Sequence, residues 1–267
     1  MRKALTTLVL LAALGALMFF WGLPTIMAKR SDNSIWRGRR EAAEHGCLNC
    51  HSAPANKELA NPGSPFGTVP SFAGGNLMMY VDRPDEVEEW IRNGFTKARR
   101  ANPEAWAKYR SQLIQMPAFG RQLDEDEVAA LKAFVLATDD YFSPEEERAQ
   151  HGEEIARAQC LSCHGAGGSG GLANPGSPFG YIPGWFGKDF HDLVKNEDEL
   201  REWITTGSSR RVAALPLATW FWRRQAIQMP GFGQHLSKDD VDALVAYIAW
   251  LGQTDGGTRL AGEAKPK

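Results

Sequence analysis

The chain repeats itself at a fixed offset of 113 residues, and this limits its fold more than any other feature. The nonamer LANPGSPFG at Leu59–Gly67 returns unchanged at Leu172–Gly180. The same shift carries CLNCH at Cys47–His51 onto CLSCH at Cys160–His164, and IQMPAFG at Ile114–Gly120 onto IQMPGFG at Ile227–Gly233. It also carries Trp90, Ile91 and Gly94 onto Trp203, Ile204 and Gly207, with no gap between these landmarks. A period of this size is too long for a solenoid repeat and fits one small domain per copy. Two tandem domains are therefore expected at 41–142 and 143–255, followed by a short tail at 256–267.

Charge is divided unevenly along the chain. Each copy holds ten Lys/Arg against fifteen Asp/Glu, or −5, although the whole chain carries only −2. The balance lies in the tail, at Arg2 and Lys3, and in a basic stretch, 29–40, expected to be a linker. Acidic domains argue against a nucleic-acid partner, which requires a basic face. Before the basic stretch, residues 4–28 are almost wholly apolar and uncharged. About 20 such residues suffice for an uncleaved membrane anchor. The competing reading is a cleaved signal peptide, for which Ile26-Met27-Ala28 is a poor cleavage site. Either places the domains outside the cytoplasm, with the anchor, within 1–28, as the favoured reading.

All four cysteines lie in the two Cys-x-x-Cys-His motifs. In an exported protein the ordinary use of cysteine is a disulfide framework, but cysteines three apart rarely bridge and none is left over. The two motifs together could only just assemble a zinc site, and no βαβ pattern supports thioredoxin-like chemistry. Covalent haem attachment fits better. Cys47 and Cys50, and likewise Cys160 and Cys163, would add to the porphyrin vinyl groups, leaving His51 and His164 as iron ligands. Met116 and Met229 each follow their histidine by 65 residues inside Gln-Met-Pro-x-Phe-Gly. Flanking Pro and Gly mark a loop, where a core filler has little to fill, and a thioether is a soft ligand that raises the reduction potential. Met78, Met79, His45, His151, His191 and His235 compete as ligands, but none has a matching ligand type in the other copy.

Periodicity predicts an amphipathic helix at 124–140, with Val128, Leu131, Phe134 and Val135 on one face, and its counterpart from Ser237 onward. Asp124 with Glu127, and Ser237 with Asp240, supply helix starts. RPDEVEEWIRNG and NEDELREWITTG form a second helical pair ending at Gly94 and Gly207. No segment alternates well enough to be a strand.

Cys-x-x-Cys-His, Pro-x-aromatic-x-Gly, Trp-Ile-x-x-Gly, Met-Pro-x-Phe-Gly and a closing helix, in that order, resemble the Met-ligated (class I) cytochromes c over about 36–252. The resemblance implies an all-α fold: two tandem cytochrome c-like domains after one N-terminal transmembrane helix, carrying two haem c groups with iron. It also implies that the Pro70 and Pro183 carbonyls accept the Nδ1–H of His51 and His164, orienting each ring. The first helix of each copy matches the family only loosely, and the stretches before each Met are long. Arg110 and Arg223, aligned in the two copies, are candidate haem-propionate partners. The nonamers either form a shared turn or pack near the haem edges, and against each other.

Two irons with both axial positions filled leave no place for substrate. The expected function is electron transfer rather than catalysis. Electrons would pass from a quinol-oxidising complex or dehydrogenase to an oxidase, reductase or reaction centre, with the carrier free or a subunit of a larger complex. The expected location is the periplasmic face of a bacterial inner membrane. The alternative is a dihaem peroxidase-like oxidoreductase, which needs one iron with a displaceable ligand.

Overall fold

A computed structural model describes residues 2–19, 33–51, 59–72 and 75–254, and these are helical, with no strand among them. Two compact units emerge, one built on Asn33–Glu147 and the other on Arg148–Gly165 with Gly170–Ile248.

The helix α1, Arg2–Leu17, opens the chain, and Leu8, Leu10, Leu11, Leu14 and Leu17 lie exposed on it. Among the described residues no helix is long and apolar enough to cross a membrane. Most of the second half of the expected anchor, 20–28, lies outside the described residues, as does the tail from 255.

In the first unit, α2 runs Ser34–Glu44, α3 Asp85–Asn93, α4 Pro103–Arg110 and α5 Glu125–Thr138. The expected linker at 29–40 is corrected here, because from Ser34 it is helix. Ile35, Trp36, Gly38 and Ala42 recur at helical spacing and are buried, so this is a core helix, with Arg39 exposed and Arg37 and Arg40 half-buried. Arg37 Nη2 donates to Asp126 O at 3.0 Å, and the Arg40 guanidinium lies 4.6 Å above the Trp36 ring. α2 crosses α5 at Gly38, where a Cβ would meet Ala130 O at 1.9 Å. The start of α5 is a capping box: Asp124 Oδ1 accepts from Glu127 N, and Glu127 Oε2 accepts from Asp124 N, both at 2.8 Å.

The second unit contains α7, Glu197–Thr206, and α8, Pro216–Trp222, all but the first residue of α6, Glu147–Gln159, and α9, Lys238–Gln253, as far as Ile248. Gly152 on α6 lets the backbone approach α9, where a Cβ would meet Ala243 O at 2.0 Å and Tyr247 Cβ at 2.9 Å. Val241, Leu244, Tyr247, Ile248 and Leu251 are all buried on α9.

A buried acid near the end of the first copy has no counterpart in the second. Asp139, at the end of α5, accepts the Leu77 N–H at 3.1 Å through Oδ1, while Oδ2 is buried without a hydrogen-bond partner among the described residues. Burial, opposed by backbone N–H groups, raises its pKa to about 6. The native state therefore holds this proton more tightly than the unfolded chain. The stability it contributes is complete below the ordinary Asp pKa of 3.8 and is lost as pH rises through about 6. Asp139→Asn should remove that dependence and stabilise the unit by about 2 kcal/mol at neutral pH. Urea unfolding of both forms between these pH values checks it. Gly252 occupies the matching position of the second copy.

Candidate haem-binding site

Cys47–Cys50 forms a single helical turn following Gly46, whose φ of 74° admits glycine readily. Cys47, Cys50 and His51 all border one cavity of about 330 Å³. Pro70, Trp90, Ile91, Ile114, Met116, Phe119 and Leu131 line the same cavity. That volume falls in the range of cofactor sites, and the wall is largely apolar, as such sites are.

Pro70 O lies 2.8 Å from His51 Nδ1. A carbonyl can only accept, so Nδ1 carries the proton and Nε2 keeps its lone pair. Burial lowers the pKa of His51, with the Pro70 bond opposing, which favours the neutral ring that metal ligation would require. Phe72 stacks on the His51 ring, with centroids 4.5 Å apart, and meets Phe134 of α5 edge-on. The Pro-x-aromatic motif thus grips the imidazole twice, by a hydrogen bond and by a ring face.

The second copy repeats this arrangement. His164 Nδ1 lies 3.2 Å from Pro183 O, and burial takes its pKa down to about 4. Trp185 lies 4.9 Å from the His164 ring and meets Tyr247 of α9 edge-on. Cys160 and Cys163 lie at the turn before it, partly buried. Burial pushes the Cys160 thiol up to about 11 and raises that of Cys47.

Each Met loop is seated on the end of a Trp-Ile-x-x-Gly helix. Phe119 N and Gly120 N donate to Ile91 O and Arg92 O, each at 3.0 Å. Phe232 N and Gly233 N donate to Ile204 O and Thr205 O at 2.9 and 3.0 Å. Gly94 and Gly207 end these helices at φ of 71° and 78°, and a Cβ on either would meet the Met116 or Met229 carbonyl at 2.3 Å. Tyr109 of α4 donates its hydroxyl to Met116 O at 3.2 Å. Trp222 takes that position in the second copy and packs on Trp203.

The remaining candidates lie elsewhere. Arg110 is exposed and does not border the cavity, and its carbonyl accepts from Gln115 Nε2 at 3.3 Å. Arg223 is likewise exposed. Met78 and Met79 are about half exposed, and His151 is tied to Asp240 at 2.9 Å. Sequence reasoning missed the stacking of Phe72 on His51, the tilted ring contact of Trp185 with His164, and Tyr109 altogether. It also missed that the nonamers reach the Met segments, although their identity in two otherwise diverged copies was the available signal.

The donor set fits haem rather than a bare ion. Within 4.8 Å, the spacing of atoms sharing an ion, the two thiols and the imidazole of a motif do not converge among the described residues, whereas Glu41, His45 and Glu127 do. Those three are already engaged: Glu127 Oε2 closes the capping box, and Glu41 faces His45 at 3.8 Å.

The family described as cytochrome C oxidase, cbb3-type, subunit III matches residues 147–248. No curated protein matches the chain. The matched span holds Cys160, Cys163, His164, Pro183 and Met229 together with α6, α7, α8 and most of α9. Residues 147–248 are therefore a c-type cytochrome domain, and its chemistry is electron transfer through a covalently held haem.

Proposed function

We propose that the chain is a two-haem electron relay with one haem c in each repeat. In this reading Cys47, Cys50, Cys160 and Cys163 hold the porphyrins, while His51 with Met116 and His164 with Met229 ligate the irons. The observation that carries it is the recurrence of one contact set in both copies: imidazole to Pro carbonyl, aromatic ring on imidazole, Met loop on helix end.

A bound haem supplies a one-electron couple at its iron. The chain's residues do the rest. The Pro carbonyls hold the imidazole tautomer and raise ring basicity toward the metal. Apolar walls such as Val87, Ile91 and Leu131 exclude water, which favours the less charged state of the site. The Met thioethers add a neutral, soft donor acting in the same direction.

The relay would be tethered by the apolar N-terminal run at the periplasmic face of a bacterial inner membrane. Its donor would be a quinol-oxidising complex or dehydrogenase, and its acceptor an oxidase, reductase or reaction centre. A tether keeps both partners at high local concentration. The chain would serve as an anchored carrier or as a subunit of such a complex.

Intact mass and pyridine-haemochrome absorbance of the exported chain are expected to give two haems per polypeptide, and one after Cys47→Ala with Cys50→Ala. One haem in the unaltered chain would sink the relay. A high-spin haem that reacts with peroxide would instead favour a dihaem peroxidase.

A further inference from the structure

The repeated nonamer has one consistent partner, the strip of chain just before each Met. Leu59 and Val69 close its base, Val69 N donating to Leu59 O at 2.8 Å, and Asn61 N donates across it to Gly67 O at 2.7 Å. From this small loop the Asn61 side chain, only 3 % exposed, turns toward Ile114. Its Oδ1 accepts from Ile114 N at 2.8 Å, and its Nδ2 donates to Ile114 O at 2.9 Å. Asn174, 4 % exposed, makes the same pair with Ile227 at the same 2.8 and 2.9 Å. Backbone groups reinforce both: Leu113 N donates to Pro62 O, and Ala226 N to Pro175 O, each at 2.9 Å.

The orientation of each carboxamide is fixed, because a backbone N–H can only donate and a carbonyl can only accept. Among side chains of this length, only asparagine offers one donor and one acceptor that together match one residue's N–H and C=O. Aspartate loses the donor, and alanine leaves two half-buried backbone groups without this partner. The loop must also come close. Gly63 has φ 87°, and a Cβ there would meet Ser111 O at 2.4 Å; Gly176 has φ 85°, and its Cβ would meet Arg224 O at 2.3 Å.

We propose that Asn61 and Asn174 are positioning residues for Met116 and Met229. Each clamps the residue two places before its Met and so fixes where the thioether is delivered. The inference rests on the Met ligation proposed above. It gives the nonamer a function: the chain that leaves the haem histidine turns back to hold the arm of the opposite ligand. The pair is complete inside each copy, so each clamp governs its own haem.

The test uses the full-length holoprotein, with Asn61→Ala, Asn61→Asp and Met116→Ala compared with the unaltered chain. Three quantities are read for each haem: the near-infrared thioether-to-iron band, the reduction potential, and the affinity for added imidazole. Asn61→Ala is expected to weaken the band of the first haem, lower its potential, and tighten imidazole binding roughly tenfold. Asn61→Asp should fall between, because it keeps the acceptor. Asn174, untouched, should leave the second haem as it was. If Met116→Ala changes all three readouts but neither Asn61 variant does, the clamp is overturned while Met ligation stands. An unchanged spectrum in Met116→Ala would overturn the ligand assignment and the clamp with it. Should Asn61→Ala fail to fold, the Asn61→Asp result decides on the same readouts.

Discussion

Gly38→Val is expected to unfold the Asn33–Glu147 unit, at a cost of at least about 3 kcal/mol. Even the first added carbon would sit 1.9 Å from Ala130 O and 2.7 Å from Phe134 Cβ. Both neighbours belong to a buried helix, so relief requires α2 and α5 to separate, exposing the core that Ile35, Val128 and Leu131 form. Gly152→Val should do the same to the other unit through Ala243 O at 2.0 Å. Gly252→Ala is the matching control, because a Cβ there meets nothing within 4 Å. It should be neutral or stabilise by up to about 1 kcal/mol. Urea midpoints followed by far-ultraviolet circular dichroism separate the three variants. A Gly38→Val protein with an unaltered midpoint would contradict this helix crossing.

Gly94→Ala should be nearly as damaging, but at the Met116 loop. The methyl would be forced into a left-handed residue at φ 71°, costing about 1–2 kcal/mol. It would also lie 2.3 Å from Met116 O, so the Met loop must leave the end of α3. On the proposed ligand set, the first haem then loses its thioether band and drops in potential, while the second keeps both. Gly67→Ala shares a positive φ, 74°, but its Cβ meets nothing within 4 Å. That variant should pay only the backbone cost and leave the spectrum intact. Optical redox titration of the two variants distinguishes a contact effect from a conformational one.

The parts of the fold that sequence displays are those held by local pattern. α5 and α9 announce themselves through periodicity and through their capping pairs, and both boxes form, Ser237 Oγ accepting from Asp240 N at 3.1 Å. The glycine-ended helices and the absence of strands among the described residues likewise follow from short-range signals. The first helices were obscured by a slip of one residue. Gly38 stands nine places before Cys47, and Gly152 eight before Cys160, so the 113-residue register breaks just where the helices cross. In copy one the extra step is visible as the break at His45 and Gly46 between α2 and the Cys turn, whereas Cys160 N still donates to Ala156 O on α6. The same region looked like a linker because Arg37, Arg39 and Arg40 alternate with the buried Ile35, Trp36 and Gly38. Contacts that depend on distant chain were invisible for a different reason. Asn61 meets a backbone 53 residues away, and backbone atoms carry no sequence signature.

If Met116 and Met229 ligate iron as proposed, the seating of their loops has a consequence for the speed of charge transfer. Each loop is fastened by two hydrogen bonds to a helix end, by a two-point amide pair upstream, and in the first copy by the Tyr109 hydroxyl. A ligand arm fixed by protein alone has little room to relax when the charge beside it changes by one. Dipoles and donors already in place need not reorganise at the moment of transfer. Such an anchorage favours a site that shuttles electrons rapidly in either direction over one that uses a swinging ligand to gate chemistry.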